Sequence, residues 1–155
     1  MTKGHIMKKP SILIKKLEKS AKIPTYASPD AAGADLYALS EMGEITFAPA
    51  ETVMIRTGIA IAIPKGYVGL IYARSGLACK RGLAPANKVG VIDADYRGEI
   101  MVALHNHTNE AVTLAAGERI AQLVVTPCLM PDFTECDELD QTLRGEGGFG
   151  STGTL

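Results

Sequence analysis

A chain of 155 residues has the length of one domain, and 46% hydrophobic residues are enough for a substantial core. Aromatics are only 5% and Trp is absent, so aliphatic side chains must fill that core. The formal net charge of -1 excludes a global basic field that would draw the protein onto nucleic acid or an anionic membrane, so any polyanion must be gripped by a local cluster of donors.

Met1 to Pro10 carries charge but no apolar signal-like segment. Met7 ahead of Lys8-Lys9 reads as a natural start behind an added segment, and residues 1–10 are expected to be disordered or added. Ser11 to Leu17 reads as a first strand, and Lys22 to Pro29 as a polar connection. Asp30 to Ala38 is rich in small residues that let backbones approach, and leads into a short strand carrying Asp35. Short strands are predicted at Thr46 to Phe47 and Thr52 to Arg56. Gly58 to Ile63 alternates strictly, with Ile59, Ile61 and Ile63 on one face, which is the period of a strand. Tyr67 to Ala73, Glu99 to Leu104, Ala111 to Leu114 and Ile120 to Val125 complete the set, with turns at Pro64 to Gly66, Asn106 to Glu110 and Ala115 to Glu118.

Many short strands between Gly, Pro and Asn turns predict an all-β chain, a jelly-roll-like β-sandwich or barrel. Ser75 to Arg81 is the exception, a short helix with Ser75 expected at its N-cap and Gly82 just past its end. The domain is expected over residues 11–131. Residues 132–155 change character, first acidic and then Gly-rich around Arg144 and Phe149, as a flexible C-terminal arm would. No apolar run approaches the ~18 residues of a membrane-crossing helix. Three cysteines, Cys79, Cys128 and Cys136, lack metal-ligand spacing and suit free thiols in a reducing, cytoplasmic compartment.

Asn87 to Ile100 is predicted as a β-hairpin with Asp93, Asp95 and Tyr96 at its tip. Asp93 directly follows the apolar run Val89 to Ile92, so the pattern carries a charge toward a core, where it needs a partner or a task. Arg74-Ser75-Gly76 places a guanidinium, a hydroxyl and bare backbone N–H groups at a helix start. That is equally an anion site or an ordinary capped helix with a solvated Arg. The Gly-rich tail lacks the Gly-Lys-Ser/Thr of a phosphate loop, and reads either as a loose terminus or as a closure with Arg144 on phosphate and Phe149 on a base. Arg119 is expected to pair structurally with a carboxylate, Gln122 to be a ligand donor, and His105 and His107 to be surface or turn residues.

Five stretches in this order resemble the trimeric deoxyuridine triphosphatases: 32–38 (AGADLYA), 74–78 (RSGLA), Asn87 with 90–98 (GVIDADYRG), 117–123 (GERIAQL) and 144–153 (RGEGGFGSTG). The resemblance runs from the first strand to the end of the chain. It implies a jelly-roll homotrimer whose shared active sites hydrolyse dUTP to dUMP and pyrophosphate, keeping uracil out of DNA and supplying dUMP for thymidylate synthesis. It assigns Asp93 to the attacking water at the α-phosphate. Asn87 and the backbone of Gly90, Val91, Ile92 and Met101 would read uracil, and Tyr96 would exclude a 2′-hydroxyl. Arg74, Ser75, Gly76 and Gln122 would bind phosphate, with Arg144, Phe149 and Ser151 closing from a neighbouring subunit. The implied cofactor is Mg²⁺, held through water by Asp35. Ala73 stands where the motif often has Pro, a departure that touches no assigned role. The nearest rival is a dCTP deaminase on a similar fold, which needs an acid/base, usually Glu, beside the base's exocyclic amine. A non-catalytic nucleotide- or protein-binding jelly roll is the rival from another class.

Overall fold

A computed structural model describes residues 9–148, so the expectations for residues 1–8, for Phe149 and for Ser151 lie outside the described residues. In chain order the strands are β1 (Leu13–Lys16), β2 (Thr25–Tyr26), β3 (Ala34–Tyr37), β4 (Ile45–Phe47), β5 (Thr52–Arg56), β6 (Ile59–Ala62) and β7 (Tyr67–Ala73). The helix α1 (Ser75–Arg81) follows, then β8 (Leu83–Pro85), β9 (Gly90–Ile92), β10 (Met101–Asn106), β11 (Val112–Leu114) and β12 (Arg119–Pro127). The all-β expectation with one short helix holds.

β12 is the longest strand and organises the main sheet, whose order is β2-β3-β12-β7-β9. A second sheet has the order β5-β10-β8, and two pairs, β1-β6 and β4-β11, complete the shell. All these pairings are antiparallel, so short turns suffice for many connections. The core is aliphatic, as composition required. Leu36, Ile55, Ile59, Leu83, Ile100, Leu104, Leu114 and Ile120 are buried together around Phe47, the one fully buried aromatic among the described residues. Each such side chain contributes roughly 1.5–3 kcal/mol on leaving water, so Trp is not needed. Ile59, Ile61 and Ile63 all face this core, as their alternation predicts.

Buried polar groups tie the layers together. Asn106 Nδ2 donates to the carbonyls of Phe47, Ala48 and Glu110, while its Oδ1 accepts from Thr108. Thr57 Oγ1 donates to the Ile100 carbonyl at 2.5 Å. No buried side-chain polar atom among the described residues lacks a partner, as a specific core requires.

Three local expectations are corrected. The Asn87–Ile100 segment is not a hairpin, because β9 pairs with β7 in the main sheet and β10 pairs with β5 and β8 in the other. The eight residues between β9 and β10 are long enough to change sheets, and no two-residue turn forces them together. The helix N-cap is Arg74, with extended φ/ψ and no side-chain cap bond, so Ser75 is the first helical residue. Thr25–Tyr26 forms a short edge strand within what reads as a polar connection. Gly82 does end the helix in the left-handed conformation, its N–H on the Ala78 carbonyl. No helix among the described residues is long and apolar enough to cross a membrane.

Candidate active site

β7 runs straight into α1, and Arg74 stands at the junction. Its guanidinium is aimed by Asp35 on β3, two strands away across β12. Arg74 Nε donates to Asp35 Oδ1 at 2.8 Å, and Arg119 Nη1 donates to Oδ2 at 3.1 Å. A register shift in β12 between Arg119 and Ala121 accompanies this approach of Arg119 to Asp35. The expected carboxylate partner of Arg119 is therefore Asp35. Gln122 sits opposite Asp35 in the β3–β12 ladder. Gly33 makes room for it, since a Cβ there would stand 3.0 Å from Gln122 Cβ.

Ser75 and Gly76 are exposed at the first turn of α1. A Cβ on Gly76 would meet nothing within 4 Å among the described residues, so its bareness leaves the helix start open to an approaching group. With Arg74 and Gln122 beside it, this end of the main sheet is a cluster of donors suited to an anion.

The Asp35 carboxylate is 2% exposed, and each of its oxygens accepts from one guanidinium, Arg74 on one side and Arg119 on the other. Among the described residues no three His, Cys, Asp or Glu side chains gather as a chelating group. The chemistry of Asp35 here is that of an arginine clamp.

The second constellation lies where β9 and β10 part. A cleft of about 210 Å³ is lined by Met54, Val91, Ile92, Asp93, Tyr96, Glu99 and Met101. Five of these are residues expected at the site. β9 is an edge strand, so its outer backbone groups have no strand partner among the described residues and are free to read a polar edge. At its start the chain turns tightly, with Lys88 at φ 65° and Val89 N–H on the Asn87 carbonyl. Asn87 Nδ2 lies against Gly90, 3.5 Å from where a Cβ would stand.

Asp93 is exposed rather than carried into a core. β9 ends at Ile92, and Asp93 is the first residue of the crossing loop, so the apolar run that precedes it belongs to a half-exposed edge. It stands beside Tyr96, whose hydroxyl donates to the Glu99 carbonyl at 3.0 Å.

Met54 and Glu99 are cleft residues that sequence patterning misses. Met54 reads as one more strand position on β5, and only the β5–β10 pairing, Met54 with Ala103, brings it to the cleft. The Glu99 carboxylate is committed to Arg56 Nε and the Gly58 N–H, which leaves it poorly placed as the free acid/base that a deaminase needs. His105 and His107 take no part: His105 Nδ1 shares a hydrogen bond with Thr52 Oγ1, and the two rings stack edge-on at 4.5 Å.

The two constellations are set apart along β7. Ile92 pairs with Gly69 and Gly90 with Ile71, so Arg74 stands three to five positions further along, roughly 10–16 Å at strand rise. Among the described residues the arm does not bridge them either. Residues 132–143 are exposed and without regular structure, and the described bond of Arg144 Nε is to the nearby Gly147 carbonyl.

Comparison with known proteins gives one answer. A dUTPase family model matches residues 19–153. A deoxyuridine 5'-triphosphate nucleotidohydrolase of Desulfitobacterium hafniense is 53% identical over 137 residues, which is 88% of this chain and 90% of the relative. That of Syntrophotalea carbinolica is 47% identical over 147 residues, 95% and 99% of the two chains. Among solved structures, the Staphylococcus bacteriophage 80alpha dUTPase G164S mutant with dUpNHpp superposes with a TM-score of 0.84 at 29% identity, over 94% of this chain and 99% of that one. The D95N mutant dUTPase of phage phi11, described with a structural Mg(II) ion, gives 0.74 at 25% identity over 83% and 98%.

Proposed function

Because this chain belongs to the dUTPase family and hydrolyses dUTP, we propose that the cleft between β9 and β10 is where the nucleoside sits and where water is aimed at the α-phosphorus. The observation that carries this is the convergence of Asp93, Tyr96, Val91, Ile92 and Met101 on one cleft beside a free strand edge. The outer backbone of Gly90 to Ile92 pairs with the uracil edge, with Asn87 closing the far end. Cytosine would mispair there and leave polar groups unsatisfied, which costs orders of magnitude in efficiency. Tyr96 occupies the space of a 2′-hydroxyl. Asp93 holds the attacking water by its free carboxylate oxygens, and the electron pair of that water forms the new P–O bond as pyrophosphate leaves.

Arg74, Ser75, Gly76 and Gln122 bind the phosphate chain. They stand apart from the cleft along β7, and sites shared between subunits of a homotrimer would bring a neighbour's donor cluster to it. The arm supplies Arg144, Phe149 and Ser151 from a neighbour; its Phe133, Leu139 and Leu143 are large apolar side chains left exposed among the described residues. Asp35 would hold Mg²⁺ through water, and the ion, when bound with the triphosphate, would offset negative charge together with Arg74 and Arg144. Three free thiols, Cys79, Cys128 and Cys136, suit a cytoplasmic setting.

Hydrolysis in ¹⁸O-labelled water tests the point of attack. Label in dUMP and none in pyrophosphate is the expected result; label in pyrophosphate overturns it. The arm has its own test. Truncation before Arg144 should leave the melting temperature unchanged, because the described bonds of residues 144–148 stay within the arm, while kcat falls about 100-fold through lost positioning. Unaltered kinetics would reduce the arm to a loose tail.

A further inference from the structure

The loop that carries Tyr96 is braced throughout. Arg97 Nη1 donates to the carbonyls of Ala94 and Tyr96, both at 2.7 Å, and Tyr96 N–H donates to the Asp93 carbonyl at 3.2 Å. Glu99, which receives the Tyr96 hydroxyl on its carbonyl, is anchored through its carboxylate to Arg56 and Gly58. One member of the loop has no such explanation. Gly98 does not adopt the left-handed conformation; the glycines that do, among the described residues, are Gly43, Gly58, Gly66, Gly82, Gly117 and Gly145. Alanine would therefore suit its backbone. What glycine supplies is room. A Cβ at position 98 would stand 2.6 Å from Tyr96 Cζ and 3.0 Å from Cε2, closer than atoms in a folded protein approach.

The phenol end of Tyr96 thus rests on the bare Cα of Gly98. We propose that Gly98 is a specificity-positioning residue, whose missing side chain seats the Tyr96 ring at the height where it meets a 2′-hydroxyl. This rests on the assignment of Tyr96 to sugar exclusion. When a methyl is added at 98, the ring is what yields: it is 41% exposed and pivots on its own χ angles, whereas the backbone around it is pinned. Lifting the ring off its seat breaks its bond to the Glu99 carbonyl and changes the space beside the sugar.

The test compares kcat/KM for dUTP and UTP in Gly98→Ala, Tyr96→Ala and the double variant. Tyr96→Ala should lower the dUTP/UTP ratio, and if it does not, the assignment of Tyr96 itself fails. Given that it does, Gly98→Ala should lower the same ratio about tenfold, the scale on which a pocket discriminates a single small group. Adding Gly98→Ala to Tyr96→Ala should then change the ratio no further, because the residue acts only through the ring. A wild-type ratio in Gly98→Ala overturns the proposal, as does a further drop in the double variant. If Gly98→Ala does not fold, Tyr96→Phe decides: it keeps the ring but removes its tether, and must lower the ratio less than Tyr96→Ala. A loss as large as that of Tyr96→Ala counts against a ring seated by Gly98.

Discussion

Replacing Asp93 by Asn should lower kcat about 1,000-fold, while the Kd for a non-hydrolysable dUTP analogue should stay near its wild-type value. Asp93 takes part in the local structure through its backbone carbonyl, which accepts the Tyr96 N–H, and that bond survives the change. Its side chain is exposed and makes no described hydrogen bond, so the isosteric amide disturbs neither fold nor cleft. What is lost is chemical. A carboxylate offers acceptor sites only and can take both a fixed orientation and a proton from water, whereas an amide replaces one oxygen by a donor. Holding the water in line with the α-phosphorus carries at least as much of the effect as proton removal. A loss of 100- to 10,000-fold is the usual range for removing such a group. Rapid-quench turnover and calorimetric titration of the same preparation separate the two quantities. Near-normal turnover would remove Asp93 from the chemistry. Equal losses in affinity and rate would make it a binding residue instead.

The elements of this fold were legible where the local pattern is strong. Ile59, Ile61 and Ile63 announce a strand by alternation, and they lie against the core. Gly82 announces the end of α1, because the left-handed turn there is one that glycine adopts without cost. Pairing was less legible. Val89 to Ile92 and Glu99 to Leu104 look like two arms of a hairpin, since sequence adjacency is the only pairing signal a linear pattern holds. In the folded chain, β9 instead completes the edge of the main sheet and leaves its outer side to the cleft. Asp93 illustrates the consequence. A charge next to an apolar run was expected to be driven inward, but an edge strand of three residues has only one buried flank, and its next residue is already in solvent.

The site residues follow the same division. Arg74, Asp93 and Tyr96 stand out because charge, hydroxyl and glycine cluster within a few positions. Met54 and Glu99 do not, because their places in the cleft depend on the pairing of β5 with β10 and on the anchoring of Glu99 by Arg56, 43 residues earlier. Asp35 was visible as an acid with a role, but its two guanidinium partners lie 39 and 84 residues away, and only the order β3-β12-β7 brings them together.

Asp35→Asn is expected to destabilise the protein by about 2–4 kcal/mol, and to do so in metal-free buffer. The carboxylate is buried between Arg74 and Arg119, so the amide leaves two like charges facing a site that no longer balances them. Removing one partner from a buried ion pair costs roughly 3–5 kcal/mol; the cost here is about 1 kcal/mol less, since the Arg74 and Arg119 side chains are 21% and 48% exposed and can rehydrate. At fixed protein concentration the melting temperature should fall by roughly 5–10 °C. Arg119→Gln should cost less, because Asp35 keeps Arg74 as a partner at 2.8 Å. The phosphate site suffers as well: without Asp35 to hold its Nε, the Arg74 guanidinium loses its aim, and KM for dUTP rises while affinity for deoxyuridine, which has no phosphate, does not change. Thermal unfolding with EDTA and with Mg²⁺ distinguishes the clamp from a metal site. A deficit of the same size in both buffers is what the two ion pairs require. If Asp35→Asn melts like the parent protein in EDTA and falls behind only when Mg²⁺ is added, the carboxylate is a metal-holding group and the clamp is incidental.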